Sequence, residues 1–285
     1  KFSAVLLFVP LFATFVYDPI CHLQWCETGW MYKWGVLAFA GGLVVHVCCG
    51  AGALTLAVML GSRKRQNITP PCNLPMVCLG TGLLWFGWFG FNGGSALAAD
   101  GRAAFAFTVT NTAAATAAFV WIVCEWIETG KPTFLGALTG AIAGLATITP
   151  ASGFVGPGGA LIIGIAAGIV CFYATVYIKQ KLRIDDSLDV FPVHGVGGIL
   201  GTLWVGLLAS SELGIFSGHG LADGVTVGQQ LLVQLTGIAA TIAYTVLATY
   251  LILKVVGMIV GLRATADQET QGLDVVFHNE SGYDL

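Results

Sequence analysis

Apolar runs of roughly 20 residues recur along the chain, and nothing else in the sequence limits the possible folds so severely. They lie at about 1–17, 35–60, 75–98, 103–127, 134–149, 158–178, 190–209 and 230–260. A run of this length crosses the hydrocarbon core of a bilayer as a helix, because a helix satisfies its backbone polar groups internally. The runs are continuously apolar rather than alternating, which argues against a β-barrel. Composition agrees: of 285 residues, 56% are hydrophobic and 9% charged, against about 25% charged in soluble domains. The 39 glycines suit membrane helices whose backbones approach closely. The expected fold is an all-α polytopic membrane protein with eight spans.

The net charge of −3 says little about partners; the placement of the charges says more. Arg63, Lys64 and Arg65 follow the second run, Lys131 the fourth, Lys179, Lys181 and Arg183 the sixth, and Arg263 the last. The alternate connectors carry only Lys33 and Arg102. By the positive-inside rule the basic connectors and both termini face the cytoplasm. The sequon at 67–69 then lies on that side and is not read as glycosylated.

The eight cysteines do not form a disulfide framework. Cys48, Cys49, Cys78, Cys124 and Cys171 sit in or near apolar runs as small hydrophobes. Cys21 and Cys26 share a connecting segment, which leaves a bridge there open. No metal-ligand spacing occurs, and no nucleophile, base and oxyanion donors converge, so neither a metal centre nor an enzyme is expected and no catalytic residue is assigned.

Two histidines interrupt this interior, His46 in "GGLVVHVCCG" and His194 in "DVFPVHGVGG". The bland reading is a core ring bonded to a carbonyl. In a bilayer, however, ionisable groups are costly and mark substrate or proton paths. The two runs that carry them cross in opposite directions, so the rings are expected at similar depth, the pattern an inverted repeat leaves. No Asp, Glu, Lys or Arg falls in the middle of any run, and Glu125 and Glu128 lie at a cytoplasmic end. A charged ion would therefore find no counter-ion, whereas a small neutral polar molecule could bond to the rings. The aromatic run "LLWFGWFGFNGGS" at 83–95 is read as packing, or as a source of a gating Phe and a mouth hydroxyl. Trp25, Trp30 and Trp34 are read as interfacial, and His219 as a surface ring.

The stretches at 39–46, 74–96, 125–164, 183–203 and 260–285 together resemble the ammonium transporter family (Amt/Mep/Rh), on the bacterial Amt side. The resemblance implies an eleven-helix fold with inverted repeats, of which this chain carries helices four to eleven and lacks the first three, as an N-terminally incomplete protein would. It implies a transmembrane domain over 1–262, a cytoplasmic tail over 263–285, a homotrimer, the inner membrane, and no cofactor or nucleic acid. It makes His46 and His194 the paired pore rings, Phe91 the inner Phe of the external gate, Trp88 a pore-lining ring, Ser95 the vestibule hydroxyl and Asp189 the supporting acid before the second histidine. The implied substrate is ammonium or ammonia, with methylammonium as an analogue. In many members the tail meets a PII signalling protein.

Two positions depart from the family pattern. Ala38 stands where an Asp helps recruit and deprotonate ammonium, and Leu23 where a Trp stacks on the cation, a contact worth about 0.5–2 kcal/mol. These departures motivate an alternative reading as an ammonium sensor signalling through its tail. Leu23 alone motivates a third, a neutral-gas conduit resembling Rh proteins. His278 in the tail is an ordinary surface ring unless the tail packs under the membrane domain.

Overall fold

The computed structural model describes residues 1–63, 71–209 and 221–282, all of it helix and connecting turns with no strand among these residues. Eight apolar helices make up the body: α1 (Phe2–Lys33, with a turn at 26–29), α2 (Gly42–Leu60), α3 (Leu74–Gly94), α4 (Gly101–Thr129), α5 (Phe134–Ile148), α6 (Pro157–Lys181), α7 (Phe191–Leu208) and α8 (Val227–Val260). Seven of them are long and apolar enough to cross a membrane. The fifth expected run forms a helix of only 15 residues, shorter than the roughly 20 that span a bilayer. It ends where Pro150 and Gly153 open a buried turn before α6. Two short helices, α9 (Ala266–Gln271) and α10 (Leu273–His278), complete the described chain.

The helix starts are written in the sequence. Asn73 caps α3 by accepting from Met76 N at 2.9 Å, and Asp100 caps α4 from Arg102 N and Ala103 N at 2.9 and 3.1 Å. Thr226 and Gln229 form a capping box on α8. These side chains take up N–H groups that the first turn of a helix leaves without a partner.

Two expected boundaries move. The first run does not stop at residue 17: helix continues to Trp25, which places Asp18 within α1 rather than in a connector. Pro19 lacks the N–H that would bond the Phe15 carbonyl. The Tyr244 hydroxyl of α8 donates to that carbonyl instead, at 2.8 Å, while the turn over Ala13–Tyr17 widens to π geometry. The second run begins as helix only at Gly42, because 36–41, buried apart from the half-buried Leu37, is not helical. Cys21 and Cys26 are not bridged. Lys64, Arg65, the sequon and His219 lie outside the described residues.

α4 packs against α5 and α6, while α7 and α8 close around α2. α2 and the start of α7 cross at Gly50 and Gly195, so tightly that a Cβ on Gly50 would collide with the Gly195 backbone. That crossing holds the two histidine-bearing elements together. Much of α3 turns large apolar side chains outward, Leu83 and Phe86 among them, as a helix facing lipid does.

Candidate functional site

His46 and His194 occupy equivalent local structures. Each sits in a six-residue π-turn, over Gly42–Val47 and Phe191–Val196, that runs directly into regular helix. The first turn starts from Gly41, whose φ of +117° is a conformation an L side chain rarely adopts. The second contains Pro192, which has no N–H to give to a regular ladder. π-turns widen a helix by one residue and are frequent at functional sites.

The two rings face each other with Nδ1 atoms 3.2 Å apart. Their centroids are 5.3 Å apart with planes 20° from parallel. His46 is 1% exposed and its Nε2 is buried without a hydrogen-bond partner. A close Nδ1–Nδ1 contact requires one ring to donate and the other to accept. Whichever Nδ1 accepts, its ring carries its proton on Nε2, while the donating neutral ring offers Nε2 as an acceptor. The pair therefore presents one donor and one acceptor outward, which suits a neutral molecule able to do both.

Trp88 of α3 covers the pair. Its ring lies 12° from the plane of His46 and 9° from that of His194, with centroids 5.5 and 6.3 Å away. The indole N–H donates to Thr149 Oγ1 at 2.9 Å, and Thr149 in turn bonds the Leu145 carbonyl. Phe91, one turn further along α3, meets Trp88 edge-on at 5.9 Å. Ser95 follows after another turn, and its hydroxyl donates to the Phe91 carbonyl at 2.9 Å, which leaves its oxygen lone pairs to accept. His46, His194, Trp88 and Phe91 thus form one aromatic column with Ser95 at its end.

The remaining expected residues lie apart from it. Asp189 binds Lys179, whose Nζ is 2.7 and 2.8 Å from the two carboxylate oxygens. The start of the His194 turn is held by Asp186, which accepts from Val190 N and Phe191 N at 3.1 and 2.7 Å. Leu23 packs inward against the cluster of Met31, Val36 and Leu43. Ala38 is buried, and its carbonyl accepts from Trp25 Nε1 at 3.2 Å. Near Ala38, the Arg102 guanidinium stands 4.7 Å from the Phe39 ring and 5.2 Å from that of Phe154.

Sequence reasoning missed Thr149, Asp186 and three buried glutamines, Gln24, Gln230 and Gln234. The signal was present: Gln230 and Gln234 stand four residues apart in an apolar helix, on one face. Among the described residues no group of three His, Cys, Asp or Glu side chains could hold a metal ion.

Outside the bilayer-length helices, Arg63 binds Asp185 through both carboxylate oxygens, at 2.7 and 2.8 Å. This hydrogen bonding holds the Asp185 carboxyl below the ordinary carboxylate range. Arg263 pairs with Glu269 of α9 at 2.6 Å and donates to the Leu60 carbonyl at the end of α2. His278 of α10 meets Phe2 edge-on at 4.8 Å, so the tail packs against the helical body.

Comparison with known proteins gives a consistent picture. The family model described as "Ammonium Transporter Family" matches residues 1–283. A Bacillus subtilis protein named "Ammonium transporter" is 47% identical over 285 residues, covering 99% of this chain and 69% of that protein. The crystal structure of Saccharomyces cerevisiae Mep2 superposes with a TM-score of 0.84 at 40% identity, over 93% of this chain and 61% of that one. A structure titled "Sensor Amt Protein" superposes at 0.85 and 31% identity, over 94% of this chain and 68% of that one.

Proposed function

The chain belongs to the Ammonium Transporter Family, a family of transporters rather than enzymes, and from that premise we propose that it conducts ammonia through the His46–His194 pair after ammonium loses its proton. The observation that carries this reading is the 3.2 Å contact between the two Nδ1 atoms, inside an aromatic column that buries His46. Ammonium would release its proton to water outside the column, since among the described residues neither ring is hydrogen-bonded to a carboxylate that would stabilise a cation there. Ammonia then donates to one ring and accepts from the other, exchanging partners as it passes. Trp88 and Phe91 exclude hydrated ions by denying them replacements for their water.

In this reading Phe91 gates the outer end and Ser95 accepts from the arriving ammonium. Asp189, through Lys179, braces the element that carries His194. Residues 1–262 form the membrane domain in the cytoplasmic membrane, residues 263–285 a cytoplasmic tail available to a PII-type partner, and the assembly is a homotrimer. Support for a fixed tail comes from Arg263, which reaches both Glu269 and the Leu60 carbonyl.

A second reading, an ammonium sensor with little transport, is favoured by Ala38 in place of the family's acidic residue and by the likeness to the sensor structure. One experiment separates the two. The protein is expressed in a strain lacking ammonium transporters and grown on low ammonium. Growth that depends on His46 and His194 supports conduction; no growth, with the protein present in the membrane, rejects it in favour of sensing.

A further inference from the structure

Between α1 and α2 the chain gives up its helix at 36–41 while buried. Backbone at membrane depth must then find partners elsewhere, because no solvent supplies them. Side chains supply them here. Gln24 Nε2 donates to the Val36 carbonyl at 2.9 Å, Trp25 Nε1 to that of Ala38 at 3.2 Å, and Gln230 Nε2 to that of Gly35 at 2.9 Å. Gln234 takes both groups of Leu37: its Oε1 accepts from Leu37 N at 2.8 Å, and its Nε2 donates to the Leu37 carbonyl at 2.7 Å.

Gln234 does more than patch this segment. Its Nε2 also donates to the Thr202 carbonyl of α7 at 3.0 Å, and its Oε1 also accepts from Gln230 Nε2 at 3.0 Å. A primary amide has two N–H donors and two acceptor sites, and Gln234, with no exposed surface, uses all four. Leu37 leads through Gly41 into the turn that carries His46, while Thr202 lies on the helix that continues from the turn carrying His194. One side chain on α8 therefore joins the two elements whose rings must meet.

We infer that Gln234 is a positioning residue that sets the separation of His46 and His194, with Gln230 and Gln24 holding the same non-helical segment from either side. The inference rests on the reading of the histidine pair as the conduction route. Without the amide, two carbonyls and two N–H groups, those of Leu37 and of the Gln230 amide, lose a partner in the interior. The 36–41 segment then shifts to recover bonds, and His46 moves with it.

The test is the initial rate of radiolabelled methylammonium uptake per folded molecule in proteoliposomes, for the parent, Gln234→Leu, Gln234→Glu and the His46→Ala/His194→Ala pair. Gln234→Leu keeps the bulk and loses every hydrogen bond; its maximal rate falls roughly 10- to 100-fold, the scale expected when a supporting contact lets a reacting group drift by about 1 Å. Gln234→Glu offers a donor and an acceptor only when protonated, so its rate relative to the parent rises in acidic buffer. A role in stability alone would lower yield and Tm and leave the rate per folded molecule and this pH ratio unchanged. Parental rates in Gln234→Leu overturn the positioning role. Should Gln234→Leu fail to accumulate in the membrane, a flat pH ratio for Gln234→Glu overturns it instead. Parental rates in the histidine pair variant overturn the underlying reading.

Discussion

Replacing Gly198 with alanine should disable the histidine pair without touching either ring. Gly198 lies in α7 against His46, and a Cβ added there would stand 2.7 Å from His46 Cβ. The same carbon would stand 3.1 Å from both the Gly42 carbonyl oxygen and Val47 N. Carbon atoms rest about 3.5–4.0 Å apart, so relief requires a displacement on the order of 1 Å. The Nδ1–Nδ1 distance of 3.2 Å already lies at the long end of the hydrogen-bond range, about 2.7–3.2 Å. Half of that displacement would separate the rings. Inserting a methyl into such packing costs about 1–3 kcal/mol, which lowers Tm by a few degrees and leaves the fold intact. The loss of rate should be far larger, on the order of 100-fold, because transport depends on the geometry of two small groups. The assay is methylammonium uptake per folded molecule, with Tm measured on the same preparations. Gly87→Ala on α3 serves as the control, since a Cβ there meets nothing within 4 Å. Equal rates in Gly198→Ala and Gly87→Ala would refute the argument that His46 is fixed by contact with α7.

Three further outcomes follow from individual contacts. Thr149→Val removes the acceptor for the Trp88 indole N–H, which should cost about 1–3 kcal/mol and free the ring; a thermal melt and a lowered uptake rate check it, and an unchanged melt contradicts it. Tyr244→Phe takes away the donor that replaces Pro19 at the Phe15 carbonyl, so Tm should fall by an amount equivalent to about 0.6–1.7 kcal/mol, the range for hydrogen bonds between membrane helices, with uptake kinetics unaltered. Asp185→Asn breaks the pair with Arg63, a partly exposed contact worth about 0.2–1 kcal/mol. Because Arg63 depresses the Asp185 carboxyl, this contribution is complete above the ordinary value of about 3.9 and disappears as pH falls through the lowered one. Melting curves of parent and Asp185→Asn should therefore differ at neutral pH and converge in acid.

How much of this was legible beforehand depends on whether a feature lives in local chemistry or in distant contacts. The helical membrane fold followed from run length alone, and the pairing of His46 with His194 from their repeated setting and opposite run directions. Boundaries were lost where a tertiary contact overrides a local signal. The first run reads as ending at residue 17, just before Pro19, yet Tyr244, more than two hundred residues away, satisfies the carbonyl that the proline leaves without a partner. The reverse error occurred at 36–41, where apolar residues read as helix although glutamines on other helices hold the segment open. Asp189, expected as the supporting acid before the second histidine, pairs with Lys179, and Asp186, which was not singled out, caps the turn. Two acids three residues apart before a helix cannot be ranked as caps without knowing which φ each adopts, and Asp189 stands at +55°.

Conduction through the two imidazoles is tested most directly by flux. Radiolabelled methylammonium should enter proteoliposomes that carry the parent protein, selectively and at a saturable rate. Replacing His46 and His194 with alanine, with the protein folded and inserted, should abolish that uptake. Parental uptake in that variant would contradict the account, whatever the fate of every other prediction.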